Sequence, residues 1–137
     1  MKSKLKPAER DRLAQIFQDH GLAPEDVFVS NHFTIVTRTG IEKIQAVKGI
    51  EVEYLVESLD PDFVVIRAIG TMEERDVNGT PVATHRIETF GSATTKNNRN
   101  PYAVEMAEKR ALSRCVLKLV GLYREKDVIG EDERPQE

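Results

Sequence analysis

Arg110, Arg114 and Lys118 recur at every fourth position within NPYAVEMAEKRALSRCVLKLVGLY, Asn100 to Tyr123. Residues four apart stand above one another on an α-helix, so this spacing stacks three cations into one ridge. Lys109 adjoins the ridge, Lys96 and Arg99 precede it, and Arg86 lies on the segment before that. Converging cations suit a polyanion: each one that neutralises a phosphate releases condensed counterions and yields affinity without base specificity. Tyr102 adds a flat ring for base stacking, a contact worth about 1–3 kcal/mol in sequence-tolerant single-strand binders, and Tyr54 is a weaker candidate of the same kind. The plainer readings are a solvated helix face, tyrosines in the core, and arginines paired across a subunit contact with Glu51, Glu53 and Glu57.

The formal net charge of −3 seems to argue against an anionic partner, but it is unevenly distributed. Thr84 to Arg124 carries eight bases against three acids, whereas Glu125 to Glu137 carries six acids against two bases. A basic segment inside an acidic chain is a cue for a nucleic-acid face. The acidic tail offers in turn a surface for a basic protein partner.

Other chemistries find little support. Cys115 is the only cysteine, its helical position makes it a buried apolar residue, and His20, His32 and His85 are scattered, so neither a disulfide nor a zinc site is expected. No serine or cysteine nucleophile stands near a histidine in sequence, and no glycine lies in a phosphate-loop or dinucleotide pattern. Glu51, Glu53 and Glu57 read as an outward strand face that protects an edge. The expectations are therefore no enzyme activity, no catalytic residues, no metal and no cofactor. With no apolar run of about 18 residues and no signal-peptide pattern after Met1-Lys2-Ser3-Lys4, a soluble cytoplasmic setting without a membrane is expected.

The elements that must position the cations can be read from periodicity. Pro7 to His20 is helical, closed by Gly21, and Val27 to Thr37 is β-rich. Thr39 can cap a short helix that ends near Gly49. Ile50, Val52, Tyr54 and Val56 then alternate with the glutamates, which predicts a half-buried strand. After the Asp60-Pro61-Asp62 turn, Phe63 to Glu74 forms a second strand, and Asn78-Gly79 predicts a type I′ hairpin into a third, Val82 to Thr94. Asn100 as N-cap and Pro101 at the first helical position open the long helix, which ends near Gly121. At about 100° per residue, Ala107, Ala111, Cys115, Leu119, Leu112 and Val116 share an arc suited to a sheet. Met106, Leu117 and Val120 fall opposite, to be covered by the N-terminal helix or a neighbouring subunit. The fold expectation is α+β: an antiparallel sheet of three or more strands in β-β-β-α order, packed on the long C-terminal helix, with an N-terminal helix. Residues 1–124 form one domain and 125–137 an acidic, disordered tail.

The block from Gly49 to Tyr123 resembles the single-strand DNA annealing proteins, a group that includes Erf-like and RecT-like phage recombination proteins and the eukaryotic Rad fifty-two mediator. The resemblance rests on the β-β-β-α order, on RIETFGSATT with its glycine and small residues, and on Met106-Ala107-Glu108-Lys109-Arg110-Ala111 followed by Arg114. It covers a little over half the chain. It implies homo-oligomeric rings or helical assemblies and single-stranded DNA in a positive groove between the sheet hairpin and the main helix, serving phage or prophage recombination and repair. Carried over, the contacts are Arg110 and Arg114, then Lys109, Arg86, Lys96 and Arg99; Lys118 joins them through the ridge. Glu73, Glu74 and Asp76 make the hairpin more acidic than such a groove requires. The alternative is an interaction module of the same fold without DNA binding.

Overall fold

The computed structural model describes residues 6–30, 33–60, 62–97, 102–125 and 127–133. The long helix α3 spans Ala103–Leu119 and is buried on two sides, as its sequence requires. On one side lies a three-stranded antiparallel meander of β3 (Glu51–Asp60), β4 (Phe63–Arg75) and β5 (Pro81–Thr94). On the other lie α1 (Pro7–Asp19), α2 (Arg38–Lys48) and a small mixed sheet. That second sheet has the order β1 (Val27–Val29), β2 (Thr34–Val36), β6 (Val128–Gly130), with β2 and β6 parallel. The α+β class and the sheet packed on α3 are as expected.

Small side chains bring α3 and the meander unusually close. Ala107, Ala111 and Cys115 face Ala68, Ala93 and Gly91, all buried. A methyl group at Gly91 would fall inside contact distance of Ala107 O and Ala111 N, so glycine there is a packing requirement. Thr89 Oγ1 donates to Ala111 O at 2.7 Å and ties the two layers together. Cys115 is fully buried, and burial raises its thiol pKa to about 11, partly offset by a hydrogen bond with Thr89. It behaves as the small apolar residue foreseen.

Across α3, Val116 and Leu117 join Leu13 and Phe17 of α1 and Ile41 and Ile44 of α2 in the largest apolar cluster, with Val120 packed against it. The N-terminal helix thus covers the second side together with α2. Met106 departs from its expected place, packing with Val64, Ile66 and Ala93 on the sheet side, and Val116 and Leu112, expected on the sheet-facing arc, pack in the large cluster instead.

Local differences have local causes. Thr37, rather than Thr39, caps α2, its Oγ1 accepting from Gly40 N at 3.0 Å. The β-rich segment after Pro24 is two short paired strands. The Asn-Gly turn is not type I′: Gly79 alone has positive φ, at 81°, and Gly79 N donates to Asp76 O. The Asp76 carboxylate accepts from the amides of Asn78 and Thr80, which holds a longer turn and shifts the register between Glu74 and Arg75. The expected capping pair Asn100-Pro101 lies outside the described residues, and Tyr102 stands at the N-cap position of α3.

Candidate nucleic-acid interface

The basic ridge is divided by the fold. Arg110 is only 6% exposed, because α3 runs along β5 and the ridge meets that strand's edge. Its Nη1 donates to Ser92 O at 2.7 Å and to Asn97 Oδ1 at 3.0 Å, its Nη2 to Asn97 O at 2.7 Å, and its Nε to Asp132 O at 2.8 Å. Burial lowers its pKa from the ordinary arginine value, and the nearby Asp132 charge opposes that shift. The guanidinium is a crosslink joining β5, the following loop and the C-terminal segment.

Arg114, one turn on, does a looser version of the same work. Its Nη1 donates to Phe90 O at 2.8 Å and its Nε pairs with Glu133 Oε2 at 3.0 Å, which also accepts from the Tyr123 hydroxyl at 3.0 Å. The expected partners Glu51, Glu53 and Glu57 are not involved: Glu57 pairs with Arg67 at 2.6 Å. The acidic segment expected to be a disordered tail is instead where these contacts end. Val128 is buried in the large cluster, Glu131–Glu133 form a 3-10 turn, and buried Asp132 binds Arg38 at 2.7 Å. Sequence reasoning missed this because the segment has few large apolar residues and its cationic partners lie 94 and 19 positions away.

Lys118 ends the ridge in a different environment. It is exposed, lies 5.5 Å from the centroid of the Tyr123 ring, and lines a cleft of about 960 Å³ beneath the β4–β5 hairpin. The cleft forms because β4 and β5 outrun the C-terminal end of α3 and reach toward the ends of α1 and α2. Met72, Ile87, Leu119 and Val120 line it with apolar surface, and Lys48, Arg75, Arg86, His20, His85, Glu73 and Glu74 supply its polar groups. Of the expected contacts it gathers Lys118 and Arg86, and it adds Lys48 and Arg75, which sequence spacing could not associate with the ridge.

The hairpin's acids are largely answered within the cleft. Glu73 pairs with Arg75 at 2.7 Å and Glu74 hydrogen-bonds His85 Nε2 at 3.0 Å, a contact charged on both sides only when the imidazole is protonated, while Arg86 lies 3.4 Å from Glu88. Lys48 and Lys118 take part in none of the ion pairs among the described residues. Lys48 sits in the last turn of α2, where a cation also complements the exposed carbonyls of the helix end.

Against this geometry no protein-family model, no curated protein and no solved structure gives a match. The functional reading therefore rests on the chain's own residues.

The remaining expected contacts are dispersed. Lys96 is exposed after β5, at the end of the meander away from the hairpin, and Tyr102 is exposed at the start of α3. A 17-residue helix is about 25 Å long, so neither shares the cleft with Lys118. Lys109 is half-buried on α3. Arg99 lies outside the described residues. Among those residues no group of three His, Cys, Asp or Glu side chains is placed to hold a metal ion, and no helix is long and apolar enough to cross a membrane.

Proposed function

We propose that this chain binds single-stranded DNA in the cleft beneath the β4–β5 hairpin, as a non-enzymatic annealing protein of phage-type recombination. The observation that carries this reading is the pair of cations without ion pairs among the described residues, Lys48 and Lys118, bordering one cleft with Arg86 and Arg75. Phosphates held there would displace counterions and give salt-dependent, sequence-tolerant affinity. Among the described residues no phenylalanine or tyrosine lines the cleft. Backbone contacts therefore dominate, and base edges stay accessible to a complementary strand, which is what annealing requires. Homo-oligomers and a cytoplasmic setting belong to the same reading.

The phosphate contacts assigned are Lys118, Lys48 and Arg86, with Lys109 and Lys96 left for a strand that runs past the cleft and Arg75 held at its border by Glu73 and Gly79 O. Arg110 is withdrawn from direct contact because its donors are committed to protein oxygens. Fluorescence anisotropy with an oligothymidylate across a salt series tests the proposal. Binding at low salt that weakens steeply with salt and is clearly weakened in Lys48→Ala/Lys118→Ala is expected. Absence of binding at low salt, or an unaffected double variant, sinks it.

One observation favours the alternative, an interaction module. Glu51 and Glu53 on β3 are exposed and take part in no ion pair among the described residues, so the chain also presents acidic surface.

A further inference from the structure

The two edges of the meander are finished differently. Along β5, the carbonyls of Phe90 and Ser92 accept hydrogen bonds from Arg114 and Arg110, so side chains close that part of the edge. Along β3, no side chain among the described residues of other elements hydrogen-bonds the backbone of its ten residues. Such an edge offers unpaired amides and carbonyls over about 33 Å, a template for one more strand.

The side chains of β3 describe what that strand must look like. On the face toward α3 stand Tyr54, Val56 and Leu59, in register with Ala68, Ile66 and Val64 of β4. Val56 is 60% and Leu59 65% exposed, although alternation predicted a buried face, because α3 crosses β4 and β5 and stops short of this edge. Glu108 of α3 lies near Tyr54, and Val104, one turn earlier, is exposed too. Apolar side chains of an added strand would find neighbours there.

The opposite face carries Glu51 and Glu53, in register with Thr71 and Ile69. On that face Arg67 is held by Glu57 and Glu88, at 2.6 and 2.8 Å, and Arg86, in register with Thr71, lies 3.4 Å from Glu88, so neither cation pairs with Glu51 or Glu53. Two copies of β3 paired edge to edge would bring carboxylates together, and the bulge between Val56 and Ser58 further disfavours a flat self-pairing. The carboxylates that discourage self-pairing select a basic partner. Asp132 and Glu133 of the C-terminal segment are not available for this role, since they are spent on Arg38 and Arg114.

We infer that β3 is the docking edge for an extended protein segment alternating apolar and basic residues, which adds to the meander as a fourth strand. Backbone hydrogen bonds supply affinity, Glu51 and Glu53 pair with its basic residues, and Tyr54, Val56 and Leu59 pack on its apolar ones.

The test needs no nucleic acid, so its outcome is independent of the cleft. Amide hydrogen exchange is followed in the full chain with an eight-residue peptide alternating lysine and valine, and with a peptide of the same composition arranged in two blocks. Exchange of the Glu51–Asp60 amides is expected to slow about tenfold with the alternating peptide only, and to stay fast in a Glu51→Lys/Glu53→Lys variant whose circular dichroism is unchanged. No protection of β3 at millimolar peptide would overturn the inference, as would equal protection by the blocked peptide. Concentration-dependent protection of β3 without peptide would also overturn it, by showing that a second copy occupies the edge.

Discussion

Arg110 and Lys118 stand two turns apart on one ridge of one helix and meet opposite fates. Arg110 lies where α3 passes the β5 edge and gives its donors to Ser92, Asn97 and Asp132. Lys118 lies where the helix ends and the hairpin overhangs it, and it faces a cleft. The contrast teaches that a cation's availability is set by what passes its end, not by its spacing. A guanidinium with several donors in a fixed fork suits the first position, and a compact ammonium on a flexible stem suits the second.

The sharpest attempt to break the contrast is Arg110→Ala. It strands three backbone carbonyl oxygens, one buried and two partly buried, and is expected to cost about 3 kcal/mol in urea unfolding, whereas Lys118→Ala should change stability by less than about 0.5 kcal/mol. Equal losses would mean that Arg110 is no crosslink. Gly91→Ala attacks the placement of the ridge instead, by forcing α3 off β5. An overpacking penalty of about 2 kcal/mol is expected, and a neutral result would show that helix and sheet can separate without cost.

Binding sharpens the same comparison from the other end. Lys48→Ala/Lys118→Ala should reduce the slope of log affinity against log salt by about two, one per phosphate contact, while leaving the unfolding midpoint near that of the parent chain. A slope unchanged in the double variant would put the DNA elsewhere.

The smallest expected effect concerns a cation that resembles Arg110 in being committed. Lys43 donates to buried Asp26 at 2.7 Å, and that bond, then the one from Ala23 N, lowers the Asp26 pKa below 3.8. Its stabilisation is thus fully present above the ordinary value and lost as pH falls through the lower folded value. An acid titration of stability should show a loss that begins near pH 3.8 and continues below it, flattened in Asp26→Asn. Identical acid limbs for parent and variant would remove this contribution.

Much of the fold was legible because it follows local rules. Pro7 and Gly21 bracket α1, the alternation after Gly49 marks β3, and the arc Ala107, Ala111 and Cys115 faces the sheet. The misreadings arose where a distant group intervened. The Asp76 carboxylate reshaped the Asn-Gly turn, and α3 left Val56 uncovered although its period says buried. The candidate site was legible in kind, as basic groups near a hairpin, but of the expected contacts among the described residues only Arg86 and Lys118 line the cleft. Lys48 carried no signal at all, since its place there depends on how the end of α2 packs near the end of α3.

Sequence by itself determined the order of elements, the two-sided burial of α3 and the existence of a ridge of positive charge, because hydrophobic period and spacing are properties of a single segment. Tertiary structure alone decided which charges on that ridge are committed and which stay exposed. The carbonyls and carboxylates that hold Arg110 and Arg114 come from Phe90, Ser92, Asn97, Asp132 and Glu133, and the cleft that receives Lys118 is framed by four separate elements. A hydrogen bond forms only when donor and acceptor meet within about 3 Å, and folding, not spacing along the chain, brings these together.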